Sequence, residues 1–173
     1  MENGQLQVYT GDGKGKTTAA LGLALRAAGA GLRVYIGQFM KAELTSEHAA
    51  LRALSVEVEQ FGSGKGLLIR RTADEDDLAC ARAGLKRVRE AVTGGAFDVV
   101  IADEINCAMA CGLLSEADLL ALADARSESV ELVFTGRGAT EALVKRADLV
   151  TEMRLVRHYY RDKGLAARVG IEK

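Results

Sequence analysis

The 173-residue sequence contains no proline and no tryptophan, and only four tyrosines and four phenylalanines. Without proline no turn has its φ set by a ring, so chain reversals fall to the 19 glycines and to Asp, Ser and Thr. With so few aromatics, core volume has to come from Leu, Val, Ile and Ala. A basic excess is also missing: 23 Lys and Arg face 24 Asp and Glu, for a formal net charge of -1. Such a chain lacks the field that holds a nucleic acid backbone by counter-ion release, so nucleic acid is not an expected partner. No apolar run is long enough for a bilayer; the richest, Ala19 to Ala30, is short and broken by Arg26, so no membrane association is expected. The opening residues Met1 to Gln5 show no basic stretch followed by an apolar one, which argues against a signal peptide and for a cytoplasmic protein. Cysteines number three (Cys80, Cys107 and Cys111), an odd count that suits reduced thiols better than a disulfide framework.

What is present alternates regularly between strand and helix patterns. Leu6–Thr10 reads as a strand running into glycines, and Thr17–Ala30, nearly all Ala and Leu, as a buried helix ending near Gly29 and Gly31. Strand-like Leu32–Phe39, helical Ser46–Leu54 and alternating Val56–Phe61 follow. Asp74–Asp77 is an acidic first turn of a helix whose apolar residues recur at Leu78, Ala81, Leu85, Val88 and Val92 and whose bases come late, as the helix dipole favours. Phe97–Ala102 is a continuous apolar run around Asp98, the pattern of a central parallel strand covered on both faces. Ser115-x-x-Asp118 has the form of a capping box with Leu114 and Leu119 as its staple, opening a helix to about Ala125. A strand at Val130–Phe134, a short helix at Glu141–Ala147, a strand at Leu149–Val156 and a basic, glycine-punctuated tail complete the chain. No repeat or linker interrupts the series, so residues 1–173 are expected to form one domain with a doubly wound, mostly parallel sheet and helices on both faces.

The strongest chemical signal is Thr10-Gly11-Asp12-Gly13-Lys14-Gly15-Lys16-Thr17-Thr18, between a strand and a helix. That context and spacing describe a phosphate loop of the P-loop type. Glycines let backbone N–H groups turn inward and let phosphate oxygens approach, Lys16 adds a positive charge, and the following helix points its positive end at the anion. The Thr17 hydroxyl suits Mg²⁺. The usual first glycine of the pattern is replaced by Thr10, while the Gly-Lys-Thr end is intact. A second signal is the apolar strand that ends in Asp103-Glu104, placing two carboxylates where P-loop proteins hold Mg²⁺. Arg137, at the loop end of a later strand, is placed for a phosphate or substrate contact. The alternatives are weaker. Asn3 and Asn106 are the only asparagines and neither precedes Lys, so the guanine-reading motif of GTPases is missing. The extra early lysine of partition-type ATPases is missing too, since that position is Gly11. A small-molecule kinase or ATPase and a nucleotide-dependent binding switch stay as rival readings of the loop. Arg26 is placed to reach either the nucleotide or an acidic partner; Lys65 and Arg70-Arg71 read as a solvated loop; Cys107, Cys111 and His158 are too scattered for a convincing metal site.

Several segments fall in a recognisable order: Thr10 to Ala20, Gly37-Gln38-Phe39-Met40-Lys41, Asp103-Glu104-Ile105-Asn106, Gly112-Leu113-Leu114, Thr135-Gly136-Arg137-Gly138, Ala147 to Met153 and Gly170-Ile171-Glu172. Together they resemble the P-loop ATP:corrinoid adenosyltransferases. The resemblance implies transfer of the 5′-deoxyadenosyl group of ATP to the Co(I) of a reduced corrinoid in cobalamin biosynthesis or salvage, with tripolyphosphate leaving. It implies a nucleotide lying reversed in the loop, held by Gly11, Asp12, Gly13, Lys14, Gly15, Lys16, Thr17, Thr18 and Arg137. Lys16, Thr17 and Glu104 would be the catalytic groups, and Thr17, Asp103 and Glu104 the Mg²⁺ site. No protein nucleophile or base is needed, because Co(I) is itself the nucleophile. Where the family places aromatics beneath the corrin, this sequence has Leu67 and Leu68, which would exclude water by bulk rather than by stacking; the resemblance would bring His158 of the tail toward the corrin side, the alternative being a surface residue. The resemblance also implies a homodimer and a flavin-type or other electron-donor protein as partners.

Overall fold

The computed structural model describes residues 3–66, 68 and 71–172. Six strands, Leu6–Thr10 (β1), Val34–Phe39 (β2), Glu57–Phe61 (β3), Val99–Asp103 (β4), Glu131–Thr135 (β5) and Leu149–Glu152 (β6), form one sheet in the order β3-β2-β4-β5-β1-β6. Every pairing is parallel. The helices are Lys16–Gly29 (α1), Glu47–Ala53 (α2), Glu75–Thr93 (α3), Ile105–Ala110 (α4), Glu116–Ala125 (α5), Glu141–Arg146 (α6) and Tyr159–Lys163 (α7).

Parallel strands need crossovers, and these cover both faces of the sheet. Side chains of the central strands alternate accordingly. Tyr35, Val100, Leu132 and Phe134 join a core with residues of α3, α5 and α6, among them Val88, Leu119 and Leu143. Val34, Ile36, Ile101 and Val133 point the other way and pack with Ala20, Ala24 and Ala27 of α1. Each large apolar side chain so buried contributes about 1.5–3 kcal/mol. Because the strands run the same way, the segments that follow β1, β2, β4 and β5 all open along one edge of the sheet. That edge is where ligands of such sheets bind.

Three sequence expectations need correction. Helix α1 is not buried all round: its inward stripe is alanine, small enough to bring the helix close to the sheet, while Leu25 is largely exposed. The last strand stops at Glu152 instead of reaching Val156, and all four of its residues are exposed at the sheet edge. Strand β4 begins at Val99, because Asp98 is turned outward to accept from the Arg33 backbone N–H and guanidinium at 2.9–3.0 Å. These contacts with Arg33 hold the Asp98 carboxyl down at about 2. The expected capping box of α5 is present, with Ser115 and Asp118 bonded reciprocally. Helix α3 has a second one, in which Asp74 caps and Asp77 reaches back.

Candidate active site

The loop between β1 and α1 is shaped by its glycines and braced from behind. Gly15 caps the helix at φ 116, a conformation that a Cβ would strain, and no side chain caps the first turn. The N–H groups of that turn are therefore available to an anion. Gly13 donates to the Met153 carbonyl at 2.6 Å, and Met153 donates to the Thr10 carbonyl at 2.8 Å. A Cβ on Gly13 would stand only 2.6 Å from the Met153 oxygen, so glycine is required there. Thr10 has its own use: its hydroxyl accepts the Ala139 N–H at 3.3 Å, tying the start of the loop to the segment after β5. The Lys16 ammonium lies over the loop and donates to the Gly11 and Gly13 carbonyls, at 2.7 Å each. Burial, and after it the neighbouring Arg137 charge, lower its pKa.

Asp103 sits at the end of β4, 1% exposed, and both of its oxygens are occupied. Oδ1 accepts from the Thr17 hydroxyl at 2.9 Å and the Thr135 hydroxyl at 2.7 Å. Oδ2 accepts from Lys41 at 2.7 Å and Gln38 at 3.3 Å. Thr135 also accepts the Glu104 N–H at 2.9 Å, so one hydroxyl joins the two acidic residues. Glu104 takes a left-handed backbone, φ 62. That turn separates it from its neighbour: Asp103 points into the sheet, and Glu104 lines the cleft above it. Beside Glu104, the Cys107 sulfur accepts the Arg137 N–H at 3.1 Å. Burial, reinforced by Glu104, pushes the Cys107 thiol up to about 12, so it stays protonated.

These groups border one open cleft of about 780 Å³, with Lys14, Lys16, Lys41 and Arg137 against Glu47, Glu104 and Glu172. Oxygen donors sit beside a cationic floor, as a polyphosphate with a small hard cation requires. Residues 2–172 match the family model of ATP:corrinoid adenosyltransferase BtuR/CobO/CobP. The chain belongs to the ATP:corrinoid adenosyltransferase family. A corrinoid adenosyltransferase of Pseudomonas aeruginosa is 37% identical over 172 residues, covering 99% of this chain and 84% of the relative. One from Escherichia coli is 32% identical with 99% and 86% covered. Corrinoid adenosyltransferase CobA of Salmonella typhimurium is 33% identical over the same shares. Family membership makes this an enzyme with ATP and a corrinoid as substrates.

Of the site residues expected from sequence, Gly13, Lys14, Gly15, Lys16, Thr17, Thr18, Glu104, Arg137 and His158 line this adenosyltransferase cleft. Gly11 and Asp12 face a smaller hollow on the far side of the loop, although Asp12 approaches Arg137 at 3.8 Å. Leu68 is half-buried against the core beside α3, and Leu67 lies outside the described residues. Arg26 is exposed and does not reach the cleft. Lys65 and Arg71 are not a solvated loop: Lys65 pairs with Asp74 and Asp76, and Arg71 grips Asp77 with two nitrogens. Among the described residues no three or more His, Cys, Asp and Glu side chains come together as a metal-binding group. Sequence reasoning missed three contributors. Lys41 lies two residues beyond the end of β2 and so falls on the ligand edge of the sheet, a position that was readable. Cys107 passed for a core cysteine. The tail, read only as basic and glycine-punctuated, folds back so that Gly170, Ile171 and Glu172 line one side of the cleft. Glu172 is held there by Arg168 and Tyr159, and the Ile171 carbonyl accepts from Lys14 at 3.4 Å.

Proposed function

We propose that the enzyme transfers the 5′-deoxyadenosyl group of ATP to the Co(I) of a reduced corrinoid and releases tripolyphosphate, in cobalamin biosynthesis or salvage. The observation that carries this reading is the concentration of cationic and N–H donors at the loop, where the leaving polyphosphate would lie. Charge grows on the leaving group in such a displacement, and fixed donors favour that stage over the bound substrate. Gly13 to Thr18 would wrap the polyphosphate, Lys16 would neutralise it, and Arg137 would hold its far side. No general base is assigned, since the nucleophile is the corrinoid substrate itself.

Mg²⁺ fits the oxygen donors of the site, and when bound it would supply further charge to the polyphosphate. Thr17 and Glu104 would hold it directly. Thr17 donates its proton to Asp103, which leaves its oxygen lone pairs for a metal. Asp103 already accepts four hydrogen bonds, so its part is to orient Thr17 and, at most, to reach the metal through water. On the corrin side, Leu67 and Leu68 would exclude water from cobalt, and His158 would stand at the rim.

Three free cysteines suit a reducing cytoplasm. The exposed edge strand β6, with Leu149 and Val150, supports a homodimer. A flavin-type or other electron-donor protein is the expected source of Co(I). The direct test is incubation with ATP, Mg²⁺ and chemically reduced corrinoid. A light-sensitive Co–C product together with released tripolyphosphate supports the reading. ADP or orthophosphate without a Co–C product overturns it in favour of kinase or ATPase chemistry.

A further inference from the structure

Lys41 is set at the cleft by the backbone before it and by its ion pair with Asp103. The residue before it, Met40, takes a left-handed backbone at φ 60, an unusual conformation for a side chain of that type. Strain of this kind persists only where the surroundings impose it. Met40 stands just beyond β2 as Glu104 stands just beyond β4, and β2 and β4 are hydrogen-bonded neighbours. The two left-handed turns thus lie side by side, and each aims a charged side chain at the same cleft. Lys41 reaches inward to Asp103 at 2.7 Å, yet its side chain keeps 28% of its surface open and lines the cleft with Lys16.

An ammonium carries three donors. Asp103 takes one of them, and Asp103 is already supplied by Thr17, Thr135 and Gln38. A lysine recruited only to balance a buried carboxylate would be expected inside with it; this one stands half in the cleft. We propose that Lys41 is a second polyphosphate-binding lysine, aimed by Asp103 and Met40, which meets the leaving chain from the side opposite the loop. This rests on the adenosyl-transfer reading above and extends it. Lys16 is held by the loop carbonyls and Lys41 by β2 and β4, so the polyphosphate is gripped from two independent parts of the sheet edge. The arrangement gives the cleft selectivity for a leaving group with several charged oxygens, since a shorter one would not engage both lysines.

The difficulty in testing it is that Lys41→Met also strips a buried carboxylate of its counter-ion. The comparison is therefore made in a background without that charge. Asp103→Asn and the double variant Asp103→Asn, Lys41→Met are compared for tripolyphosphate and pyrophosphate binding by calorimetry, and for adenosyl-transfer rate. If Lys41 binds polyphosphate, adding Lys41→Met to Asp103→Asn weakens tripolyphosphate by about 10-fold or more, the scale of one charged hydrogen bond. It should weaken pyrophosphate less, lower the rate further, and leave thermal stability where Asp103→Asn set it. Equal tripolyphosphate affinity in the two variants would reduce Lys41 to a counter-ion of Asp103 and overturn the proposal. The wild type run alongside separates the two levels: no Co–C product from it defeats the adenosyl-transfer reading, whereas the calorimetric comparison still decides the part played by Lys41.

Discussion

Thr135→Val tests whether the site is held together as described. The hydroxyl it removes is fully buried, donates to Asp103 at 2.7 Å and accepts the Glu104 N–H at 2.9 Å. A hydrogen bond to a charged acceptor contributes about 1.5–3 kcal/mol, and an N–H left unpaired adds about 1 kcal/mol where the site is only half buried. Valine keeps the shape but can replace neither bond, so the loss should be about 3 kcal/mol. For a chain of this size that corresponds to a fall in Tm of about 6–12 °C. The same substitution in an Asp103→Asn background meets a neutral acceptor, and its cost should shrink by about 1 kcal/mol. Calorimetric melting of the four proteins closes the cycle. A fall under about 2 °C, or the same fall in both backgrounds, would show that Thr135 does not bridge the two acidic residues.

Lys16→Ala removes the ammonium over the loop and should slow adenosyl transfer by about 10²–10³-fold; a rate near that of the wild type would refute the assignment of the loop. Glu104→Gln keeps the shape of the side chain and loses its charge, so Mg²⁺ titrations of activity should shift to higher concentration with the melting temperature little changed; superimposable titrations would remove Glu104 from the metal. Cys107 carries a thiol pushed up to about 12 by burial and by Glu104. A raised thiol pKa means little thiolate below it, so alkylation followed by mass spectrometry should find Cys107 slow at pH 8, with a rate still climbing through about pH 10, and faster in Glu104→Gln. Labelling at pH 8 as rapid as that of an unfolded peptide would contradict its surroundings.

The phosphate loop was legible because its signal is local: glycines, Lys16 and Thr17 lie together, and the flanking strand and helix patterns are strong. Asp103 and Glu104 were legible for the same reason, at the end of an apolar run. Their separate roles were not. Glu104 turns away on a left-handed backbone, and the four bonds to Asp103 come from Thr17, Gln38, Lys41 and Thr135, which adjoin only in the folded sheet. The clamp of Arg71 on Asp77 was hidden because Asp77 read as one more acid in a helix's first turn, although its side chain is 5% exposed. The end of β6 was overrun because Met153 looks like strand, while its backbone leaves the ladder to brace the phosphate loop. The tail gave no periodic signal, since its order comes from one glutamate held by Tyr159 and Arg168.

The place of β1 in the sheet sets a timetable for the newborn chain. Within this sheet it comes first in chain order, yet its two hydrogen-bonded neighbours, β5 and β6, come last. During synthesis Gly11 to Thr18 emerge long before β5 and β6, which flank β1, and before Met153, which braces the loop from behind. Contacts of such sequence separation form late. The brace behind the phosphate loop is thus a contact between distant parts of the chain, and a ligand that favours the braced loop stabilises that contact along with the loop.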